Sequence, residues 1–292
     1  MLSSAAPMVR CRQIQHDDLD RITDLLTEGF PDRPRNYWTS GFQRLAQRTA
    51  PEGIPQFGYM LESGGAPVGV LLMLFTGSGA PAELAPRINV SSWYVKPAFR
   101  SQATLMVAMA MKRKGAVYLN TSPMPHTLPV LNAMGFKPLS RGQFLAAPLL
   151  SAGGRSQRVR EIGPFSRQDD YPDTDEFELL RSHAAHGCLS LAVGDGQTWS
   201  PFVFLRRGIR YSPVGVVQLA YCRDTAEFVC CAGALGRHLA GSGCLLTLCD
   251  ANGPVPGLVG RYFPGKSPKY FKGPVGPRLN DLAFTEAVVF GP

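Results

Sequence analysis

Two consecutive α+β units, each a mixed, mostly antiparallel sheet flanked by helices, are what this sequence predicts. Three observations carry that expectation. The 292 residues exceed the usual span of one core, about 100–200 residues, and suit two. The elements run as antiparallel hairpins followed by a strand–helix–strand crossover, which normally makes a right-handed parallel pair. That order then returns. NVSSWYVKPAFRSQATLMVAMAMKRKGAVYLNT in the first half lies beside GVVQLAYCRDTAEFVCCAGALGRHLAGSGCLLTLCD in the second, a repeat of structure more than of residue identity. Residues 1–150 and 151–292 are the expected domains, with SAGGRSQR at 151–158 as the linker.

The individual elements follow from local pattern. MVRCRQI at 8–14 alternates as a strand does, and Leu19, Ile22, Leu25, Leu26 and Phe30 recur at helical spacing over about 17–29, behind the acids Asp17 and Asp18. A second helix is expected near 36–48. QFGYMLES and PVGVLLMLFTG flank Gly64-Gly65 as a hairpin. INVSSWYV at 88–95 is a strand, 99–114 a helix stopped by Gly115, 116–122 a strand, 126–134 a short helix and 143–147 a last strand. In the second half, REIGPF is a candidate strand and 173–185 a helix. CLSLAV and PFVFLRRGI are strands about Gly194-Asp195-Gly196, and VGVVQLAY and CLLTLCD are strands around a helix at 223–240.

Composition narrows the function classes. Apolar residues make up 45% and charged ones 18%, enough for sizeable cores and too little charge for a disordered chain. The net charge of +8 is uneven: residues 1–150 hold 15 Lys and Arg against 9 acids, and the remainder 15 against 13. An anionic ligand or partner for the first half fits that bias. Nucleic acid is not favoured, because the cations are scattered and no recognition-module signature occurs. Six of the seven cysteines follow residue 187, several within apolar runs, as expected of reduced, buried thiols in a cytoplasmic protein without disulfides. The N-terminus has no continuous apolar stretch of the secretory kind, and no run of about 18 apolar residues spans a membrane.

The junction WYVKPAFRSQATL, 93–105, is the segment richest in chemistry. A strand ends, a proline follows, and an aromatic–Arg pair opens a helix. Unpaired amides at a helix start, its dipole and a nearby Arg make a natural phosphate site. This junction resembles that of the GNAT-type acyl-CoA N-acyltransferases, whose strand end and loop read roughly V-x-P-x-Y-R-G-x-G-x-G. Val95, Pro97, Phe99 and Arg100 match, and the three glycine positions hold Ser101, Ala103 and Leu105. A second likeness is the short helix ending in Gly135-Phe136, with Leu131 where that family often carries a tyrosine proton donor. The two matches cover about residues 8–150; the second half agrees in element order only.

The resemblance implies two tandem GNAT-like domains and an acyl-CoA-dependent transfer to an amine, with acetyl-CoA or another acyl-CoA as co-substrate and no metal. It implies cofactor contacts from Trp93, Tyr94 and Val95 along the strand and from Arg100, Ser101, Gln102, Ala103 and Thr104 at the helix start. His126, Tyr94 and Ser92 are the candidate acid–base residues; no acid lies between Arg87 and Val95 to serve as a base. The resemblance implies a small-molecule amine or a peptide as the acceptor, and a homodimer is compatible with the sequence. A non-catalytic descendant that binds a ligand or partner is the alternative, and a tRNA-dependent aminoacyl transferase of tandem architecture a third reading. His183, His186 and Cys188 lie close enough in sequence to ligate a metal, yet lack the Glu of H-E-x-x-H and are better read as a helix end. The acid-free tract 252–280, rich in Gly, Pro, cations and aromatics, is read as a loop, either solvated or covering an anionic ligand.

Overall fold

The computed structural model describes residues 8–75, 86–154, 156–168, 171, 173–208 and 214–291. The ends of two expected strands, at 76–77 and at 209, lie outside them. One twelve-stranded sheet runs through the molecule. Its strands are β1 (Val9–Gln13), β2 (Gly58–Ser63), β3 (Ala66–Phe75), β4 (Arg87–Val95), β5 (Val117–Asn120), β6 (Lys137–Ala146), β7 (Arg158–Glu161), β8 (Leu189–Gly194), β9 (Trp199–Arg207), β10 (Gly215–Tyr221), β11 (Cys244–Ala251) and β12 (Gly260–Lys272). The spatial order is β1-β2-β3-β4-β5-β12-β6-β11-β10-β9-β8-β7. Among the described residues, only β4 with β5 and β10 with β11 are parallel. Each parallel pair is joined by a crossover helix, α3 (Ala103–Ala110) in the first half and α6 (Thr225–Gly241) in the second. The architecture is therefore α+β, with two similar halves in tandem.

The remaining helices are α1 (Leu19–Gly29), α2 (Arg35–Ala46), α4 (Leu128–Ala133), α5 (Thr174–Ala185) and α7 (Glu286–Val289). On α1, Ile22, Leu25 and Leu26 are buried; on α2, Trp38, Phe42 and Leu45. β3 is buried on successive residues from Val68 to Phe75, so helices and chain cover both of its faces. No helix among the described residues is long and apolar enough to cross a membrane. All seven cysteines are free thiols.

Three sequence expectations are corrected. The helix expected over 99–114 is a six-residue 3₁₀ turn, Pro97–Gln102, followed by only eight α-helical residues. Apolar residues ring α3 while only Met106, Val107 and Ala110 are buried, and the cationic Lys112-Arg113-Lys114 adds nothing to bury. REIGPF stays extended only to Glu161, where Gly163-Pro164 turns the chain. The tract 252–280 is not a loop throughout: residues 260–272 form β12, in the middle of the sheet. Pro264 and Pro268 cannot donate to a ladder. The register accordingly breaks between Pro264 and Lys269, with Gly265 at φ 73° and Ser267 at φ 46° making the bend.

The two halves exchange their last strands. β6, from the first half, pairs with β11 of the second, and β12, from the second, pairs with β5 of the first; β6 and β12 pair with each other. The cores follow the exchange. Phe144 and Ala146 of β6 lie in the core of the second half, and Val289 and Phe290 in that of the first. Gly41 on α2 makes the second insertion fit, since a Cβ there would stand 1.9 Å from the Phe290 ring. A buried ion pair straddles β6 at the exchange: Lys269 of β12 reaches Asp250 of β11 at 2.5 Å, with 3% and 1% of the two side chains exposed.

Candidate active site

β4 and β5 run in parallel only from Arg87 to Asn89, opposite Val117 to Leu119. β4 continues to Val95 along β3, and its ladder to β5 has ended. The result is a fork with one open strand edge. β4 also carries a bulge here. Leu72 faces Ser91 and Val70 faces Tyr94, so three steps on β4 match two on β3. Ser92, within the bulge, has φ 49°, uncommon for a residue with a side chain.

A bulge re-aims side chains. In a regular strand Ser91 and Ser92 would point to opposite faces. Here both hydroxyls donate to one carboxylate, that of Glu286 at the start of α7. Ser92 Oγ stands 2.7 Å from one oxygen and Ser91 Oγ contacts the other. Asn89 sits at the branch point. Its amide nitrogen donates to Leu119 O on β5 at 3.2 Å and to Val90 O at 3.3 Å, and its Oδ1 accepts the Glu286 N–H at 2.9 Å. Glu286 keeps some solvent exposure, yet its carboxylate is surrounded by protein atoms. Burial raises its pKa, against the Ser92 hydroxyl and the charge of Arg33, which lower it.

The segment that brings Glu286 here is pinned from both halves. Leu282 N–H donates to Ala220 O at 2.7 Å, and Asp281 pairs with Arg87 at 2.5 Å and with Arg278 at 3.2 Å. The ring of Phe284 lies 4.3 Å from that of His183 and 4.1 Å from the Arg48 guanidinium. Further on, Arg44 donates to Val289 O at 3.1 Å, and Phe290 enters a cluster with Tyr37, Trp38 and Phe42.

The sequence candidates are placed as follows. Ser92 is at the fork. Tyr94 rests its ring on Gly29, where a Cβ would come within 2.4 Å. Its hydroxyl donates to Glu28 at 3.2 Å, and Glu28 also pairs with Lys96 at 2.8 Å. Burial raises the Tyr94 pKa, aided by the Glu28 charge. Trp93 is half-buried with its indole nitrogen unpartnered, and Val95 is buried opposite Gly69. His126 is exposed in a 3₁₀ turn, Pro125–Thr127, ahead of α4. Arg100, Ser101 and Gln102 are exposed in the Pro97–Gln102 turn, and Ala103 and Thr104 begin α3. Within that turn the amides are largely used: Phe99 N–H bonds Lys96 O at 2.9 Å and Ala103 N–H bonds Arg100 O.

A coenzyme A molecule would thus find one fitting surface and one poor one. The open β4 edge offers strand amides to an amide-bearing arm. The turn offers charge, through Arg100, but no row of free N–H groups, and Leu105 stands 40% exposed beside it. In the second half the equivalent place is closed to anions. Asp224 caps α6 by accepting the Ala226 N–H at 3.1 Å, and Arg223 is held by Glu176 and Glu227. Both ring nitrogens of His183 are committed, Nδ1 to Leu179 O at 2.7 Å and Nε2 to the Phe284 N–H at 3.3 Å. A separate cleft of about 310 Å³, lined by Ile54, Tyr59, Ile88, Met109, Arg113 and Tyr118 among others, has no carboxylate in its wall.

Sequence reasoning missed Glu286 and Asn89. The one available signal was an acid alone in an apolar stretch, FTEAVVF.

Comparison with known proteins bears on the fold. No protein-family model matches the sequence, and no curated protein matches it. Solved structures do. A GCN5-related N-acetyltransferase from Anabaena variabilis superposes with a TM-score of 0.57 at 9% identity, over 91% of this chain and 72% of that one. A putative acetyltransferase from Pyrococcus horikoshii gives 0.55 at 12%, over 94% and 93%. A GCN5-related N-acetyltransferase from Kribbella flavida gives 0.54 at 15%, over 91% and 71%. These matches cover 91–94% of this chain, and the chain has the fold of the GCN5-related N-acetyltransferases.

Proposed function

We propose that the chain transfers an acyl group from acyl-coenzyme A to an amine, and that the first half, residues 1–150, carries the donor site while residues 151–292 form the second unit. The observation that carries this reading is the fork: a strand edge left open where β4 parts from β5, next to a carboxylate and two hydroxyls. The thioester supplies the electrophilic carbonyl when bound. Amides of Trp93 to Val95 hold the arm by strand addition and face the oxygen that becomes negative as the amine adds. Arg100 meets the phosphates through its side chain. Ser92, Tyr94 and His126 are the hydroxyl and imidazole groups available to move protons. The acceptor is a small-molecule amine or a peptide.

The test is thiol release from acetyl-coenzyme A in the presence of benzylamine, glucosamine and a peptide with a free N-terminus, together with the melting temperature at millimolar coenzyme A. No release and no rise in melting temperature would overturn the proposal, because a ligand bound by the folded state must stabilise it. For Arg100→Ala, loss of a charge-assisted contact is expected to cost on the order of 1.5–3 kcal/mol, about ten- to a hundredfold in affinity. Restoring glycine at Ser101, Ala103 and Leu105 is expected to tighten binding by freeing the turn to turn its amides outward. Titration calorimetry reads both. Unchanged affinity in Arg100→Ala removes the phosphate role.

A further inference from the structure

We propose that Glu286, delivered to the fork by the second half of the chain, is the catalytic base that takes the proton from the acceptor amine. The inference rests on the acyl-transfer reading and adds to it the residue that β4 lacks. An acceptor amine enters mostly as its ammonium, which has no lone pair to attack with. A base must accept that proton, and a carboxylate at the fork is suited to do so. The chain then forms the C–N bond and breaks the C–S bond; the second nitrogen proton goes to the departing thiolate, and the Glu286 carboxylic acid returns its proton to water. Atoms and charge balance with one proton released per transfer.

Three carboxylates among the described residues approach β4, and the geometry separates them. Asp281 is held by Arg87 and Arg278 at the start of the strand. Glu28 meets Tyr94 near the far end of the strand, and it is already neutralised by Lys96, which holds its pKa below the usual range. A carboxylate so stabilised is a poor base. Glu286 is at the branch point, beside the strained Ser92. Its oxygens accept from Ser91 and Ser92, one each, and a carboxylate offers about four lone-pair directions. Acceptor capacity is left for an ammonium; the residue as a whole keeps some exposure, while its carboxylate is enclosed by protein atoms. Burial raises its pKa, which strengthens it as a base. The charged and titratable groups that sense it are Arg33, between α1 and α2, and Tyr37 on α2. β4 presents the Ser91 and Ser92 hydroxyls to the carboxylate and the Asn89 amide oxygen to the Glu286 N–H.

A purely mechanical role is the competing explanation, and it predicts something different. α7 has four residues, too short for its dipole to favour an acid at the start by much. An anchor to two serines and Asn89 would be served as well by glutamine. A base would not.

The full-length chain is therefore assayed with acetyl-coenzyme A and whichever of the three acceptors above supports thiol release, from about pH 5 to pH 10. Glu286→Gln is expected to lower kcat on the order of 10²–10⁴-fold with KM for acetyl-coenzyme A unchanged. Its rate should recover toward high pH, where the amine is neutral without help. Wild type should show an acid limb above the ordinary carboxylate range, and Glu286→Gln should lose it. Glu286→Asp keeps the charge but withdraws it by one methylene; it should keep the limb, displaced, at reduced kcat. If Glu286→Gln fails to fold, the Glu286→Asp profile decides, and an unmoved limb at full kcat overturns the assignment. Wild-type kcat and an unaltered pH profile in a folded Glu286→Gln chain overturn the base and leave acyl transfer standing. A wild-type chain that releases no thiol with any of the three acceptors and is not stabilised by millimolar coenzyme A overturns both.

Discussion

Lys269→Met is expected to lower the unfolding free energy by about 3–5 kcal/mol, the cost of leaving a buried charge without its partner. Asp250 is 2% exposed, and Lys269, from the far side of β6, is the cation that reaches it. Total stabilities of domains are of order 5–15 kcal/mol, so the loss should be visible as a large fall in the denaturant midpoint. The double variant Lys269→Met with Asp250→Leu should recover most of it, because removing both charges also removes the desolvation cost. A single variant as stable as wild type would mean that water or another group solvates Asp250. The expected result also reports on topology: the pair fastens β12 to β11 over the top of the exchanged β6, so its loss weakens the centre of the sheet.

The second large effect is acid sensitivity centred on His183. Its pKa is lowered to about 3 by burial, which outweighs the hydrogen bond to Leu179 O. In the unfolded chain a histidine titrates near 6.5. Above that value both states are neutral and the group has no effect on stability. Below it the unfolded chain takes up a proton that the folded one refuses, so stability falls from about pH 6.5 down to about pH 3. At about 1.4 kcal/mol per pH unit, some 2 kcal/mol is gone by pH 5. His186, lowered to about 4 by burial with help from Arg48 and Arg44, adds in the same direction. Glu286, whose pKa is raised, acts oppositely: its contribution is present at low pH and lost as pH rises through its folded value. His183→Gln should be less stable at neutral pH, since the bond to the Phe284 N–H is disturbed, and should show a shallower decline on acidification. Melting temperatures across this window check it; parallel curves for the two proteins would contradict it.

The fold was legible where its signals are local. Hairpins, crossover and repeat were read from alternation and helical spacing, and β4 to α3 from the V-K-P-x-F-R junction. α3 was overestimated because apolar residues on every side of a segment give length without saying which turn is 3₁₀. β12 was misread because Pro264, Gly265 and Pro268 interrupt the alternation of a strand that nonetheless pairs on both sides of its bend. The site was legible only in part. Ser92, Tyr94 and Arg100 could be named from one segment. Glu286 is separated from Ser91 by 195 positions, and nothing in local pattern joins them. Only the path of the C-terminal segment, through Asp281, Phe284 and Phe290, puts the carboxylate there.

The strand exchange has a consequence for how the molecule is made. While the first half leaves the ribosome, β5 has no neighbour on its outer side and β6 has no β11 to join. Both edges wait, unpaired, for residues near the other end of the chain, and exposed strand edges are where misassembly begins. Neither half is then a unit that evolution or an experimenter could transplant alone. Cutting the peptide between 151 and 158 would give two fragments that must find each other to finish their own sheets. The halves stand to one another as the partners of a strand-swapped dimer do, with the covalent link taking the place of a concentration.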